Sequence, residues 1–516
     1  MRRAGSLLLV AAIAIVSSAH VGSPDAFFEG RVGPYRMHIR VTPPTVVPGV
    51  AQIYARSDDS DIGAITVRPV YWRAGPQGAP HGDTLKAIAS EPGSYAGQLW
   101  LMSRGAYSVY VDVAGARGSH TVIVPVMAAA TTRLGLSKTL IGILIALGVL
   151  LFAGLVAIVR AAASDSLVEP ELEPDQNARR RGSLGAWIAV PIILLVILGG
   201  ARWWKAEDTA YEDTLFRPLE ASATFVTGPT THLLRFAILD TSPMRLLTAP
   251  IMPDHGKLMH LFLVKESSMS AFAHLHPKRE REDVFTTSIP AIPAGRYLAY
   301  GDIVLETGAE YTVTTKVDVP PAIEDTTADP DDGWDADSFG VPARPGALAH
   351  LNDNVDLRWE TTDSLKAGRD LSLRFSARNK RNELVPVEPY LGMAAHAVVI
   401  REDGAIFVHL HPTGTGTMAA QQAFEQRAAG DTLPNGRLRP MKGMVMGPVM
   451  PTTGRSRPAK PTATATEMLP GDFSFPYAFP TPGRYRVWVQ VRIPEAEPTG
   501  KVVSRVATAD YEVIVR

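Results

Sequence analysis

The sequence predicts a β-hairpin at residues 396–412, HAVVIREDGAIFVHLHP. Side chains two residues apart on a strand point to the same face, so His409 and His411 share a face. The central Asp-Gly pair is a strong signal for a two-residue turn, and a turn centred there places His396 directly opposite His411. We therefore expect three imidazoles to converge on one face of this hairpin.

An earlier stretch, residues 260–277, carries the same pattern in HLFLVKESSMSAFAHLHP. Its histidines, His260, His274 and His276, occupy the equivalent positions. One additional residue separates the first two, so the same convergence requires a three-residue or bulged loop. Because six of the 13 histidines of the chain lie in these two stretches, their placement does not follow from composition alone.

Length and composition limit the class of protein. A chain of 516 residues is long enough for about three domains, each with its own core. There is no cysteine, which excludes disulfides, thiolate metal sites and cysteine nucleophiles. A net charge of -1 gives no electrostatic argument for a nucleic-acid partner, whereas 43 Gly and 41 Pro favour turn-rich β structure.

Three segments contain short alternating or apolar runs separated by Gly and Pro, which is typical of β-strands. Each segment also has a Gly-x-Tyr strand start, at Gly105, Gly295 and Gly483. This recurrence predicts a mostly β fold with three immunoglobulin-like β-sandwich domains outside the membrane, the second and third related by duplication. The predicted domains are residues 20–130, 205–318 and 347–516.

Two apolar segments have the length of membrane spans. Residues 139–159 contain no charge and would form a helix of about 32 Å, close to the hydrocarbon thickness of a bilayer. Residues 186–204 form a second predicted transmembrane helix, with tryptophans at its ends. The sequence therefore predicts that the β domains are attached to a membrane.

The N-terminus and the basic residues predict the orientation of these spans. Residues 1–19 have the features of a signal peptide cleaved after Ala19, with an uncleaved anchor as the alternative. The arginines of residues 160–185 then favour a cytoplasmic loop. This topology places the helices in a bacterial inner membrane and most of the chain in the periplasmic or extracellular space.

Two irregular segments lie outside the predicted strands. Residues 319–346 are acidic and Pro-rich, and because they lack the residue order of a calcium loop we expect a solvated linker. Residues 413–467 interrupt the third domain with a methionine cluster that could bind Cu(I), although an apolar clasp or a surface loop would have the same composition. The candidate ligands there are Met441, Met444, Met446 and Met450.

Cleavage after Ala19 would make His20 the first residue of the mature chain. An N-terminal histidine can chelate copper through its α-amino group and its ring together, with His38 or His120 as a third nitrogen if the strands bring them near. His20 is therefore also a candidate metal ligand.

The stretches EPYLGMAAHAVVIREDGAIFVHLHP and FPTPGRYRVWVQV resemble an exported bacterial family of immunoglobulin-like modules described as YtkA-like or heavy-metal-binding. The stretch GKLMHLFLVKESSMSAFAHLHP resembles the same module, and the N-terminal domain is similar to YtkA-like or FixH-like domains. The family is loosely akin to periplasmic copper-resistance (CopC-like) proteins. The resemblance implies fold and location more firmly than activity, and it implies the six hairpin histidines as candidate metal ligands.

Two interpretations of these histidines remain open. Imidazole is a common ligand of copper and zinc, and three imidazoles on a rigid sheet face suit either ion. Alternatively the histidines are structural, because Val398, Ile400 and Phe407 share the face of the later hairpin and its histidines could hydrogen-bond to the backbone or to each other. A cupin site is disfavoured, since HLHPTGTGT lacks the glutamate expected downstream.

No G-x-S-x-G elbow, Walker A loop, H-E-x-x-H motif or Rossmann fingerprint occurs in context, so we do not expect an enzyme, with a copper oxygenase as the catalytic alternative. We expect a membrane-anchored extracytoplasmic protein that binds or delivers a transition metal, copper before zinc. A copper-handling or respiratory assembly protein would be its partner. The competing hypothesis is a non-enzymatic interaction or assembly module of the cell envelope with structural histidines.

Overall fold

The computed structural model describes residues 20–21, 25–169, 172–227, 232–241, 247, 249–321, 329–337, 339–433, 436–439, 468–496 and 502–516. The predicted signal peptide, the four candidate methionines and the side chain of His20 lie outside the described part of the chain. The chain forms two compact units. The larger comprises Met1–Ala129 and Arg217–Arg516, and the smaller comprises Ala130–Phe216.

The N-terminal part of the larger unit consists of short strands. They are β1 (His20–Val21), β2 (Ala26–Val32), β3 (Tyr35–Thr42), β4 (Gly49–Arg56), β5 (Ile62–Tyr71), β6 (Asp83–Thr84), β7 (Lys86–Ala87), β8 (Ser94–Leu101), β9 (Gly105–Gly115) and β10 (Gly118–Ala128), with a 3₁₀ turn at Pro76–Gly78. Two antiparallel sheets result, β2-β3-β4-β8-β7 and β10-β9-β5-β6. Alternating burial explains a strand such as β3, in which Tyr35, Met37, Ile39 and Val41 are buried.

The smaller unit is a hairpin of two helices, α1 (Lys138–Asp165) and α2 (Gln176–Glu212). Within the described residues these are the two helices long and apolar enough to cross a membrane. Both extend beyond the predicted spans, so the predicted loop 160–185 is largely helical. Arg133 before α1 forms an ion pair of 3.0 Å with Asp208 near the end of α2, which places the N-terminal end of α1 beside the C-terminal end of α2.

The next strands of the larger unit form one sheet, and we call them the first half of the predicted duplication. They are β11 (Glu220–Thr227), β12 (His232–Leu239), β13 (Ile251–Met252), β14 (His260–Lys265), β15 (Ala271–Leu275), β16 (Lys278–Arg281), β17 (Val284–Ser288), β18 (Gly295–Leu305), β19 (Glu310–Val319) and β20 (Gly333–Ala336). The sheet order is β16-β17-β12-β11-β19-β18-β14-β15-β20, and β13 pairs with β18.

The second half contains the remaining strands and a helix. They are β21 (Val341–Pro342), β22 (Leu348–Asn352), β23 (Val355–Trp359), β24 (Leu371–Asn379), β25 (His396–Arg401), β26 (Ile406–Leu410), α3 (Met418–Ala428), β27 (Asp472–Tyr477), β28 (Gly483–Ala496) and β29 (Val502–Val515). The sheets are β1-β26-β25-β28-β29-β21 and β22-β23-β24-β27. The expectation of a mostly β chain with two apolar helices that could span a membrane is confirmed.

The acidic segment predicted as a solvated linker is partly folded. Its strand β20 pairs antiparallel with β15, and Asp332 is only 6% exposed. Lys257 forms ion pairs with Asp329 at 2.6 Å and with Asp331 at 2.7 Å. The prediction of a linker is therefore corrected for residues 329–336, because strand pairing and ion pairs hold carboxylates that composition alone assigned to solvent.

Candidate metal centre

The later hairpin, β25 and β26, forms with the predicted register. Val398 lies opposite His409, which places His396 opposite His411. The connection is longer than the predicted two-residue turn, because residues 402–405 join the strands and the N–H of Gly404 donates to the carbonyl oxygen of Arg401 at 2.8 Å. Gly404 adopts a φ of 72° there, a left-handed conformation that glycine accepts without strain. The rings of the three histidines converge as expected, with centroids 4.6, 5.1 and 5.4 Å apart.

The earlier hairpin, β14 and β15, places its histidines in the same way. Phe262 lies opposite His274, so His260 lies opposite His276 despite the extra residue. Residues 266–270 connect the strands, so of the three-residue or bulged loop that was predicted the three-residue form does not occur. The three ring centroids are 4.6, 5.1 and 5.3 Å apart.

The two hairpins face each other across a buried aromatic layer. Phe272 stacks on Trp488 with centroids 4.9 Å apart, and Phe407 stacks on Tyr300 at 4.2 Å. The two contacts are equivalent. Each phenylalanine lies two residues before the His-x-His of its own hairpin. Phe272 of the first half contacts Trp488 on β28, and Phe407 of the second half contacts Tyr300 on β18. An approximate two-fold relationship between the halves therefore brings all six motif histidines into one cluster.

A seventh histidine, His255, belongs to this cluster and was not predicted from the sequence. It lies in a Pro-Asp-His-Gly turn before β14, and the turn before β25 reads Pro-Tyr-Leu-Gly, with Leu391 at the equivalent position. His255 and Leu391 have the same φ of 51°, and each precedes a glycine with a φ of 81°. Aligning these two turns would have identified the position.

The ring nitrogens form two groups, and within each group they lie within 4.8 Å of one another. The hairpin group, all from the first half, consists of His260, His274 and His276. The bridging group, drawn from both halves, consists of His255, His396 and His411. His255 thus takes the place that the sequence assigned to His409, whose ring lies 4.6 Å from that of His411 and 5.5 Å from that of His260.

Burial lowers the pKa of five of these imidazoles and so favours their neutral form. None of the seven is more than 9% exposed. Desolvation, followed by repulsion from neighbouring imidazoles, lowers the pKa of His260, His274, His396 and His411 well below its usual value. Desolvation also lowers the pKa of His255. Neutral imidazole is the form that binds a metal ion, so these five rings are in the state required of ligands.

Ring nitrogens of five histidines of the cluster are buried without a hydrogen-bond partner among the described residues. They are both nitrogens of His396, Nε2 of His276 and His409, and one nitrogen each of His255 and His411, whose rings also interact with the backbone of Leu391 and Gly416. Leaving a buried polar atom unpaired costs about 1–3 kcal/mol. Because each neutral imidazole has one nitrogen lone pair, metal ions would satisfy the acceptors that the protein leaves unpaired.

Other side chains orient two rings of the hairpin group. Nδ1 of His276 donates to Oδ1 of Asp332 at 3.0 Å, which leaves the lone pair of the neutral ring on Nε2. Nδ1 of His274 donates to Oε1 of Gln490, a residue of the second half, at 2.8 Å. Partners of this kind fix the tautomer and orientation of ligating histidines.

Carboxylates adjoin the hairpin group. His276, Asp329 and Asp332 form a further group of ligand atoms within 4.8 Å of one another. Because Asp329 is already paired with Lys257, Asp332 is the carboxylate of this group that lies next to the imidazoles without a cationic side chain against it in the ion pairs described. Its negative charge offsets the positive charge of an ion bound in a buried site.

The other predicted ligands have different surroundings. His38 lies 3.7 Å from carboxylate oxygens of Glu29 and Asp370, and the ring of His120 packs against Tyr35 at 6.3 Å. Neither belongs to the cluster of seven. The backbone of His20 pairs with β26 at Ile406, and its side chain, like the methionine cluster, lies outside the described residues.

One family matches the chain, the Domain of unknown function (DUF8832), over residues 349–432, which include the later hairpin. No curated protein matches the sequence. Similar solved structures include a tetra-tandem repeat in the extending region of a large adhesion protein, with 9% identity over 91% of this chain and 72% of that chain and a TM-score of 0.15. Another is the ICAM-5 D1-D4 ectodomain fragment, with 8% identity over 94% and 78% and a TM-score of 0.15. Such scores support no transfer of fold or function.

Proposed function

We propose that this chain is a membrane-anchored extracytoplasmic protein that binds a transition metal, which we take to be copper, and that holds or delivers it. The observation that carries the proposal is the cluster of seven buried histidines, in which both ring nitrogens of His396 and Nε2 of His276 and His409 lack a hydrogen-bond partner among the described residues. No enzymatic step is part of the proposal.

The ligand types favour copper. Both three-histidine groups offer only imidazole nitrogen, and the chain has no cysteine to supply thiolate. A site made of imidazole accepts copper or zinc, and among divalent first-row ions Cu²⁺ binds nitrogen ligands most tightly. Zinc is therefore the main competitor to include in the experiment.

The competing hypothesis, a structural histidine cluster in an envelope interaction module, explains the packing less well. A structural cluster stabilises the fold when its buried polar atoms pair with each other or with the backbone. Here His260 and His274 pair with each other at 3.0 Å, but His396 makes no hydrogen bond through its ring among the described residues.

The proposed architecture is three immunoglobulin-like sandwiches held outside a bacterial inner membrane by the two helices, with a cytoplasmic connection between them. Support comes from the pairing of the N-terminal end of α1 with the C-terminal end of α2, since Arg133 and Asp208 would lie on the same side of the membrane. A copper-handling or respiratory assembly protein is the partner that this location suggests.

Metal content tests the proposal. The full-length protein would be purified in detergent without a histidine tag, loaded separately with Cu(II) and Zn(II), desalted, and analysed by mass spectrometry for metal per chain. The double variant His276→Ala/His396→Ala removes one ligand from each group and should lose the bound copper. His81→Ala removes an exposed histidine outside the cluster and should retain it. Equal copper in the double variant and the wild type would refute the proposed site.

A further inference from the structure

We infer that the histidine cluster holds two metal ions, one in the hairpin group and one in the bridging group, and that the second ion joins the two halves of the protein. The inference rests on the metal-binding function proposed above. Three observations carry it: the residues that meet in each group, the unpaired nitrogens they offer, and one difference between the halves.

The two groups can be filled at the same time because they share no residue. In each, three ring nitrogens already lie within 4.8 Å of one another. Nitrogens bound tetrahedrally to one ion at about 2.0–2.1 Å are about 3.4 Å apart, so a small movement of the rings closes either group around an ion. The groups are neighbours, with the rings of His255 and His260 centred 6.2 Å apart.

The unpaired nitrogens concentrate in the bridging group. Both ring nitrogens of His396 lack a hydrogen-bond partner among the described residues. The rings of His255 and His411 interact with the backbone of Leu391 and Gly416, which leaves one nitrogen of each without a partner there. In the hairpin group, by contrast, His260 and His274 pair with each other and His276 pairs with Asp332. The interface between the halves is therefore where a bound ion would remove the largest number of unpaired buried acceptors.

A single difference between the halves explains why only one of the two groups contains histidines from both halves. His396 and His411 of the second half receive a third imidazole from His255, which lies in the turn before β14 of the first half. The equivalent turn of the second half presents Leu391 and not a histidine. The hairpin group is instead completed by His274 from its own hairpin, so its three histidines by themselves make no link between the halves.

His409 is placed to serve as a further ligand between the two groups. Its Nε2 is buried without a hydrogen-bond partner among the described residues, and its Nδ1 lies 3.6 Å from Asp302 of the first half. Asp302 lies opposite His260 on the neighbouring strand, and Gln490 lies opposite His396 in the same way. Asp302 contacts His409 and Gln490 contacts His274, which are equivalent positions of the two hairpins.

An ion in the bridging group would strengthen contacts that already hold the halves together. Without metal, the halves meet through the stacked aromatic pairs and through the Tyr300 hydroxyl, which donates to the carbonyl oxygen of Gly404 at 2.8 Å. An ion bound to His255 and His396 adds a link between the halves, and binding to the folded state alone raises the unfolding temperature.

The experiment counts copper ions in the full-length protein in detergent. The informative variant is His255→Leu, because Leu391 already occupies the equivalent position with the same φ. His255→Asn, whose side chain tolerates positive φ, guards against a folding defect specific to leucine. His276→Ala disrupts the hairpin group, and His81→Ala is the control outside the cluster. Thermal unfolding of each metal-free variant verifies that it folds.

We expect two Cu(II) ions per chain in the wild type and in His81→Ala, and one in His255→Leu, His255→Asn and His276→Ala. Two neighbouring Cu(II) ions broaden each other's electron paramagnetic resonance signals, so the one-ion variants should give a sharper mononuclear spectrum. Copper should raise the unfolding temperature less in the His255 variants than in His276→Ala. One ion in the wild type, or two in the His255 variants, would overturn the two-ion inference alone. No copper in the wild type would refute the metal-binding function itself.

Discussion

His276 and Asp332 are joined twice. The ring Nδ1 of His276 donates to Oδ1 of Asp332 at 3.0 Å, and the backbone N–H of His276 donates to the same oxygen at 2.8 Å. Both residues are buried. A carboxylate in this position fixes the tautomer of a ligating histidine and raises its basicity, so a residue from the acidic segment contributes directly to the candidate centre.

Asp332→Asn should weaken copper binding about 10–100-fold, the usual effect of losing such a partner, because a neutral amide oxygen is a weaker acceptor than a carboxylate. A competition titration with a chelator of known affinity measures this change. Asp353→Asn removes an exposed carboxylate and should leave the affinity unchanged. If both variants bind copper as the wild type does, Asp332 has no influence on a metal site.

His396→Ala and His411→Ala should each weaken copper binding at least about tenfold, because either change leaves an incomplete set of ligands. The unfolding midpoint of the metal-free variants is the second measurement. A structural cluster predicts the opposite pattern, with a lower midpoint and an unchanged copper affinity. That pattern in both variants would favour the competing hypothesis.

The metal-free protein should lose stability in mild acid. Burial holds the folded-state pKa of His260, His274, His396 and His411 well below the value of about 6.5 that histidine has in the unfolded chain. Between these two values the unfolded state binds more protons, so the free energy of unfolding falls as the pH drops below about 6.5.

Denaturant titrations at about pH 7.5 and about pH 5 measure this dependence. The decrease should be smaller in His396→Ala/His411→Ala, because two of the neutral buried groups are gone. Equal or greater stability of the metal-free wild type at the lower pH would contradict the assignment of these histidines as buried and neutral.

Reporter fusions test the proposed topology. Fusions after residues 130, 168 and 215 should report outside, inside and outside, because each apolar helix reverses the side of the membrane on which the chain lies. A cytoplasmic signal after residue 215 would place both hairpins in the cytoplasm and would remove the basis for an extracytoplasmic copper protein.

Local sequence signals were sufficient to predict the hairpins. The position of the Asp-Gly pair correctly predicted the register that places His396 opposite His411, although the loop is four residues long, and the two-residue repeat puts His409 on the same face. The earlier hairpin reaches the same register through a longer loop, whose length the sequence did not determine.

The remaining parts of the candidate site depend on contacts between distant segments. His255 follows an aspartate in a turn and has no periodic pattern around it, so only its alignment with Leu391 marks the position. Asp332 lies in a stretch whose composition indicates solvent exposure, but the pairing of β20 with β15 buries it. Local periodicity also shows that Phe407 faces the same side as the histidines without revealing that Tyr300 of the other half covers it.

The coordination of copper in the loaded full-length protein tests the central claim most directly. X-ray absorption spectroscopy at the copper edge reports which atoms bind the ion and at what distance. Our account predicts at least three imidazole nitrogens per copper at about 2.0 Å, with the outer-shell scattering that imidazole rings produce. A shell made of oxygen or sulfur atoms, or one containing a single imidazole, would contradict the assignment of the buried histidine cluster as the metal centre.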